Sequence, residues 1–178
     1  MRYVALLRAV NVGGRTVKMD RLRTFFEELK LRNVETYIAS GNVIFDSTAA
    51  ASALESRIEK HLAKSLGFDV PTLVRSTADF AAVAGHDPFA ERPPMGKLGA
   101  LYVGFLKTAA ASDGMKKIEA LANVSNTFRL HGRELYWRAE DRRAVLEIPI
   151  ATFERAFGCE ATFRNVTTVR TIADRYCR

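Results

Sequence analysis

The chain has 178 residues, 48% hydrophobic and 26% charged, with 27 lysines and arginines against 20 acids and a net charge of +7. These proportions belong to an ordinary folded chain and exclude a fibrous repeat or a disordered tail. Arg8 interrupts the N-terminal apolar run Val4–Leu7, which is too short for a secretory core or a membrane span, so a cytoplasmic protein without a membrane partner is expected.

Val4 to Val10 reads as a buried strand ended by Asn11-Val12-Gly13-Gly14. Met19, Leu22, Phe25, Phe26 and Leu29 then recur at three- and four-residue steps, the stripe of a helix lying on a sheet. Val34–Ala39 and Val43–Asp46 flank Ser40-Gly41-Asn42 and predict a hairpin. Leu54, Ile58, His61, Leu62 and Leu66 give a second amphipathic helix stopping at Gly67. The next strand is Val70–Arg75, which Pro71 confines to an edge or a strand start. A helix over Thr77–Ala84 follows, and then a stretch with the composition of a linker, Gly85–Gly96.

Beyond it the order begins again. Leu101–Leu106 matches the first strand, and Met115, Ile118, Leu121 and Ala122 mark a shorter helix. Thr127–Leu130 and Glu134–Arg138 flank His131-Gly132-Arg133, 91 residues after Ser40-Gly41-Asn42. A short helix over Ile150–Phe157 precedes Thr162-Phe163-Arg164-Asn165, which leads into a terminal helix as Leu73-Val74-Arg75-Ser76 does 89 residues earlier. Two landmarks at nearly equal offsets predict an internal duplication. The expected fold is α+β: two tandem ferredoxin-like (βαββαβ) repeats with antiparallel sheets and helices packed on one face, over 1–84 and 97–178 with 85–96 between them.

Leu6-Leu7-Arg8-Ala9-Val10-Asn11-Val12-Gly13-Gly14, Lys18-Met19, Leu22-Arg23, Asn33-Val34, Thr36-Tyr37, Ser40-Gly41-Asn42-Val43 and, near the end, Arg164-Asn165 with Thr167 and Val169 resemble the bacterial family known as domain of unknown function 1697. The resemblance implies two ferredoxin-like repeats and no particular activity. Ala9 stands where that family usually has glycine, and Val166 where it usually has tryptophan.

Charge is uneven. Residues 1–32 hold eight basic side chains (Arg2, Arg8, Arg15, Lys18, Arg21, Arg23, Lys30, Arg32) against Asp20, Glu27 and Glu28, and they surround the one Gly-Gly pair. A strand ending in Asn-x-Gly-Gly before a helix can gather backbone N–H groups into an anion-binding concavity, so Arg8, Asn11, Gly13, Gly14 and Arg15 form the leading candidate site. The plainer reading is that the glycines permit a tight turn. Ser40 and Asn42 read as hairpin-turn residues that the resemblance would place on the same surface, and Arg164 with Asn165 as a second polar cluster or a helix cap.

Chemistry is otherwise sparse. Cys159 and Cys177 lack metal or redox spacing, and His61, His86 and His131 fit no ligand motif, so neither cofactor nor metal is expected. Glu55 and Glu59 beside Lys60 read as a solvated helix face, and no catalytic constellation stands out. The leading functional expectation is a protein that binds an anionic or phosphate-bearing small molecule at the first glycine loop. The alternative is a single-stranded nucleic-acid-binding module using a basic face and the strand aromatics Tyr102, Tyr136 and Trp137, residues that in strands otherwise serve as core.

Overall fold

The structure, a computed structural model, describes the backbone of residues 1–178 and every side chain except those of Arg142, Ala144 and Leu146. It is a mixed α/β architecture of two four-stranded antiparallel sheets and six α-helices. The chain divides into two compact units, Met1–Ala82 with Ile172–Arg178, and Val83–Thr171. Relative to the division read from sequence, the 85–96 segment falls within the second unit and the C-terminal residues group with the first.

In the first unit the elements are β1 (Arg2–Leu7), α1 (Met19–Glu28), β2 (Arg32–Tyr37), β3 (Asn42–Asp46), α2 (Ala51–Leu66), β4 (Thr72–Ser76) and the start of α3 (Thr77–Gly85). The sheet order is β2-β3-β1-β4, with Ala5 opposite both Val43 and Val74. Alternation along the strands sends Tyr3, Ala5, Leu7, Val43, Phe45 and Val74 to one face, where Leu22, Phe25 and Phe26 of α1 and Leu54, Ile58 and Leu62 of α2 complete the core. The α2 helix ends where expected, at Gly67, whose left-handed φ of 78° lets its N–H return to the Ala63 carbonyl. Pro71 precedes β4, which is an edge strand.

The second unit contains β5 (Ala100–Leu106), α4 (Gly114–Glu119), β6 (Asn126–His131), β7 (Glu134–Ala139), α5 (Ile150–Phe157), β8 (Ala161–Asn165) and the start of α6 (Val166–Tyr176). A 3₁₀ helix over Arg142–Glu147, absent from the sequence reading, follows β7. The order β6-β7-β5-β8 repeats that of the first sheet, strand for strand. Its core is aromatic: Trp137 lies 5.1 Å from Phe153 and 5.7 Å from Phe128, and its indole N–H donates to Asn126 Oδ1 at 2.8 Å. The bond satisfies a polar handle that the core would otherwise strand.

The 85–96 segment, for all its linker composition, is held on this unit. His86 stacks on His131 at 4.3 Å, Phe89 is buried, Arg92 donates to Thr127 Oγ1, and the Pro93 carbonyl accepts from Arg138.

Two strands end earlier than their hydrophobicity suggests. The strand expected over Val4–Val10 stops at Leu7, because Ala9 takes a left-handed φ of 53°. The one expected over Val34–Ala39 stops at Tyr37, because Ile38 takes φ 50°.

Candidate functional site: the β1–α1 and β2–β3 loops

Both early strand ends lie at one tip of the first unit. There the β1–α1 loop and the β2–β3 turn are joined by backbone and side-chain bonds: the Leu7 N–H donates to the Gly41 carbonyl at 2.8 Å, and Asn11 Nδ2 donates to the Ala39 carbonyl at 2.8 Å and the Val17 carbonyl at 3.2 Å. Asn11 Oδ1 accepts the Val17 N–H at 2.5 Å. Asn11 therefore fastens the glycine loop to the neighbouring turn, and its amide is engaged in that frame. Asn42, fully buried, does the same for the hairpin, donating to the Tyr37 carbonyl and to Ser40 Oγ, both at 2.9 Å.

The tip concentrates left-handed backbone. Ala9, Gly13, Gly14, Ile38 and Gly41 all have positive φ. Gly13 and Gly14 sit at the centre of a turn closed by the Arg15 N–H on the Val12 carbonyl at 3.4 Å, and positive φ at both central positions is the requirement of a type I′ turn. A Cβ at either would meet nothing within 4 Å, so conformation rather than crowding selects glycine, and the space above the turn is open. At Gly41 both reasons apply, since a Cβ would fall 2.6 Å from Val10 Cγ1 and 3.0 Å from Leu7 Cβ.

Ile38 is the sharper outlier, being β-branched, left-handed and 47% exposed. Such strain gathers at functional sites, where the surrounding structure holds it in place.

Ala9 is exposed and left-handed. The left-handed penalty of about 1–2 kcal/mol for a residue with a Cβ exceeds the backbone entropy that glycine forfeits, about 0.4–1 kcal/mol. Ala9→Gly is therefore expected to raise the midpoint of thermal unfolding by roughly 1–4 °C, measured by circular dichroism; a lower midpoint would contradict the assignment of strain.

Around the turn, Arg8 follows β1 with its N–H on the Pro71 carbonyl at 2.8 Å, and Arg15 lays its guanidinium over the Phe68 ring at 4.2 Å. Ser40 and Arg15 are exposed and Arg8 half-buried. The tip thus combines an open glycine turn, the exposed Arg15 beside it and a frame that fixes the loop.

Arg164 and Asn165 serve in the second unit. Arg164, on β8, donates to Thr162 Oγ1 and to the Phe163 carbonyl, both at 2.8 Å, and burial pulls its pKa down to about 10, leaving it charged near neutrality. Asn165 caps α6, accepting the Thr167 N–H at 2.9 Å, the plainer of its two sequence readings. Ser76 holds the matching position before α3, with its Oγ accepting the Asp79 N–H.

The strand aromatics Tyr136 and Trp137 are buried, so neither offers a face for base stacking. Burial, aided by the nearby Glu134 carboxylate, raises the Tyr136 phenol well above its ordinary pKa, and its O–H donates to the Val83 carbonyl. Among the described residues no three histidine, cysteine or acidic side chains are grouped to hold a metal. No described helix is long and apolar enough to cross a membrane.

One set of polar roles escaped the sequence reading. Glu55 is buried, not solvated, and accepts the Val74 N–H at 2.8 Å; Glu59 accepts the Thr72 N–H at 2.8 Å. In the second unit Glu154 of α5 accepts the Ala161 N–H at 3.0 Å. These carboxylates address β4 and β8, an edge strand in each sheet.

No curated protein matches the chain. Among solved structures, the conserved bacterial protein SP0830 from Streptococcus pneumoniae is similar over 97% of each chain, with a TM-score of 0.76 and 24% identity, a likeness that speaks to the fold alone. The family model described as protein of unknown function (DUF1697) matches residues 1–136, a span that takes in both loops of the tip and the whole first sheet; the chain belongs to that family.

Proposed function

We propose that the protein is a cytoplasmic binding protein built of two ferredoxin-like repeats, and that its tip takes an anionic small molecule. Each unit follows the βαββαβ order, and the strand order common to both sheets, with the first strand between the third and fourth, is that of a split β-α-β unit. Two free cysteines suit a reducing compartment.

The observation that carries the binding reading is the open Gly13-Gly14 turn, exposed beside Arg15 and held by Asn11. A fixed turn presents backbone N–H groups without ordering cost on binding, and guanidinium groups add charge-assisted donors suited to phosphate or carboxylate. In this reading Gly13, Gly14, Arg15, Arg8 and Ser40 contact the anion, and Asn11 and Asn42 hold the frame.

A thermal-shift panel of inorganic phosphate, nucleotides and organic acids tests it. A ligand at ten times its Kd stabilises by about 1.4 kcal/mol and should raise the midpoint by roughly 3–6 °C. Arg15→Ala, a change at an exposed side chain, should remove most of that shift. A panel in which no anion moves the midpoint rejects the reading.

A further inference from the structure

A depression of about 170 Å³ in the second unit, separate from the tip, is lined by Phe89, Pro93, Pro94, Met95, Leu101 and Arg138, with Asp87 and Arg92 also on its wall. Most of this lining is apolar, and Phe89, Leu101 and Arg138 are buried. An open depression of this volume has room for the body of a compact organic acid.

Arg138 gives the depression its chemistry. The residue is 7% exposed, yet its guanidinium is only partly engaged by the protein. Its Nε donates to Glu140 Oε1 at 2.6 Å, and its Nη2 donates to the Pro93 carbonyl at 2.7 Å and to Glu140 Oε2 at 3.4 Å. The two N–H groups of Nη1 have no protein acceptor among the described residues. Nη1 is not sealed from solvent, so its N–H groups reach accessible space, and the depression this side chain lines is where an acceptor fits.

We propose that the depression binds a small monocarboxylate with a compact apolar body, an aromatic or branched aliphatic acid. Its carboxylate accepts from Arg138 Nη1, and its body packs on Phe89, Pro94, Met95 and Leu101. The lining carries Arg92 and Arg138 against Asp87, and Glu140 takes the Nε and Nη2 side of Arg138, so what the wall offers a ligand is the directional Nη1 donor pair rather than a net charge. The loop that shapes the wall is fixed by the Arg92–Thr127 and Arg138–Pro93 bonds, so little ordering opposes binding.

The probe is benzoate, titrated into the uniformly ¹⁵N-labelled full chain, with benzamide as the neutral isostere. A ligand of this size in such a site should bind with a Kd on the order of 1 mM. Saturable amide shifts at residues 87–95 and at the Arg138 Nε–H, absent with benzamide, are the expected result. Arg138→Lys, which loses the planar fork, should weaken binding about tenfold or more.

Ala90→Trp, at an exposed position on the wall, should block the depression without touching a buried donor, and so keeps the test valid if the Arg138 variant does not fold. The proposal is overturned if benzoate at about 10 mM moves no resonance, if benzamide binds as well, or if Ala90→Trp binds benzoate unchanged. It is equally overturned if the shifts centre on Gly13, Gly14 and Arg15, which would assign the anion to the tip.

Discussion

Gly41→Ala is expected to destabilise the first unit by about 2–4 kcal/mol, the sum of two separable costs. One is conformational: φ is 77°, where a residue with a Cβ pays about 1 kcal/mol or more. The other is steric. The new methyl would stand 2.6 Å from Val10 Cγ1 and 3.0 Å from Leu7 Cβ, and both partners are buried core residues with almost no freedom to give. Overpacking of this kind costs roughly 1–3 kcal/mol.

Gly13→Ala provides the internal comparison, with a φ of 67° and nothing within 4 Å of its Cβ. It should lose only the conformational part, about 1 kcal/mol. Urea unfolding followed by far-ultraviolet circular dichroism gives both values, and the difference between them measures the contact with Val10 and Leu7. Equal losses at the two glycines would show that the hairpin backs away from β1 and that the close approach is not held.

The parts of this fold that could be read from the sequence are those written in local pattern. The stripe from Met19 to Leu29, the glycine stop at Gly67, the short helix Ile150–Phe157 and both hairpins follow from spacing of three or four, from alternation, or from a residue that alone tolerates φ above zero. What escaped depends on partners far along the chain. Nothing local to Ala9 or Ile38 reveals a left-handed backbone; alanine and isoleucine suit the strands they were assigned to, and the tip imposes the conformation.

Asn11 is a similar case. A polar residue before Gly-Gly reads as a ligand contact, but its amide reaches a carbonyl 28 residues on, and only the folded arrangement of two loops shows that. The structure gathers Asn11, Gly13, Gly14, Ser40 and Asn42 at one tip of the first unit, and only the folded arrangement divides them between frame and open surface.

Glu55 and Glu59 show how such a role can be sought in other sequences. Four residues of helix advance about 6 Å, and two residues of strand about 6.7 Å, so carboxylates at i and i+4 on a helix match alternate outward N–H groups on a neighbouring edge strand. Here the match is realised, Glu55 with Val74 and Glu59 with Thr72. An edge strand otherwise offers unpaired donors to any extended chain, and the two carboxylates occupy them.

Glu55→Ala is accordingly expected to cost about 2 kcal/mol, the loss of a charge-assisted bond plus a donor left buried at Val74. Glu55→Gln keeps an acceptor oxygen and should cost about half as much. Alanine at the exposed Glu27 should change stability by less than about 0.5 kcal/mol. The double variant at Glu55 and Glu59 carries a second consequence that stability alone does not report: β4 becomes available for pairing, and light scattering during size-exclusion chromatography should show self-association rising with concentration. If Glu55→Ala behaves like the Glu27 variant, or the double variant stays monodisperse to the same concentration as the unaltered chain, the carboxylates are not what closes that edge.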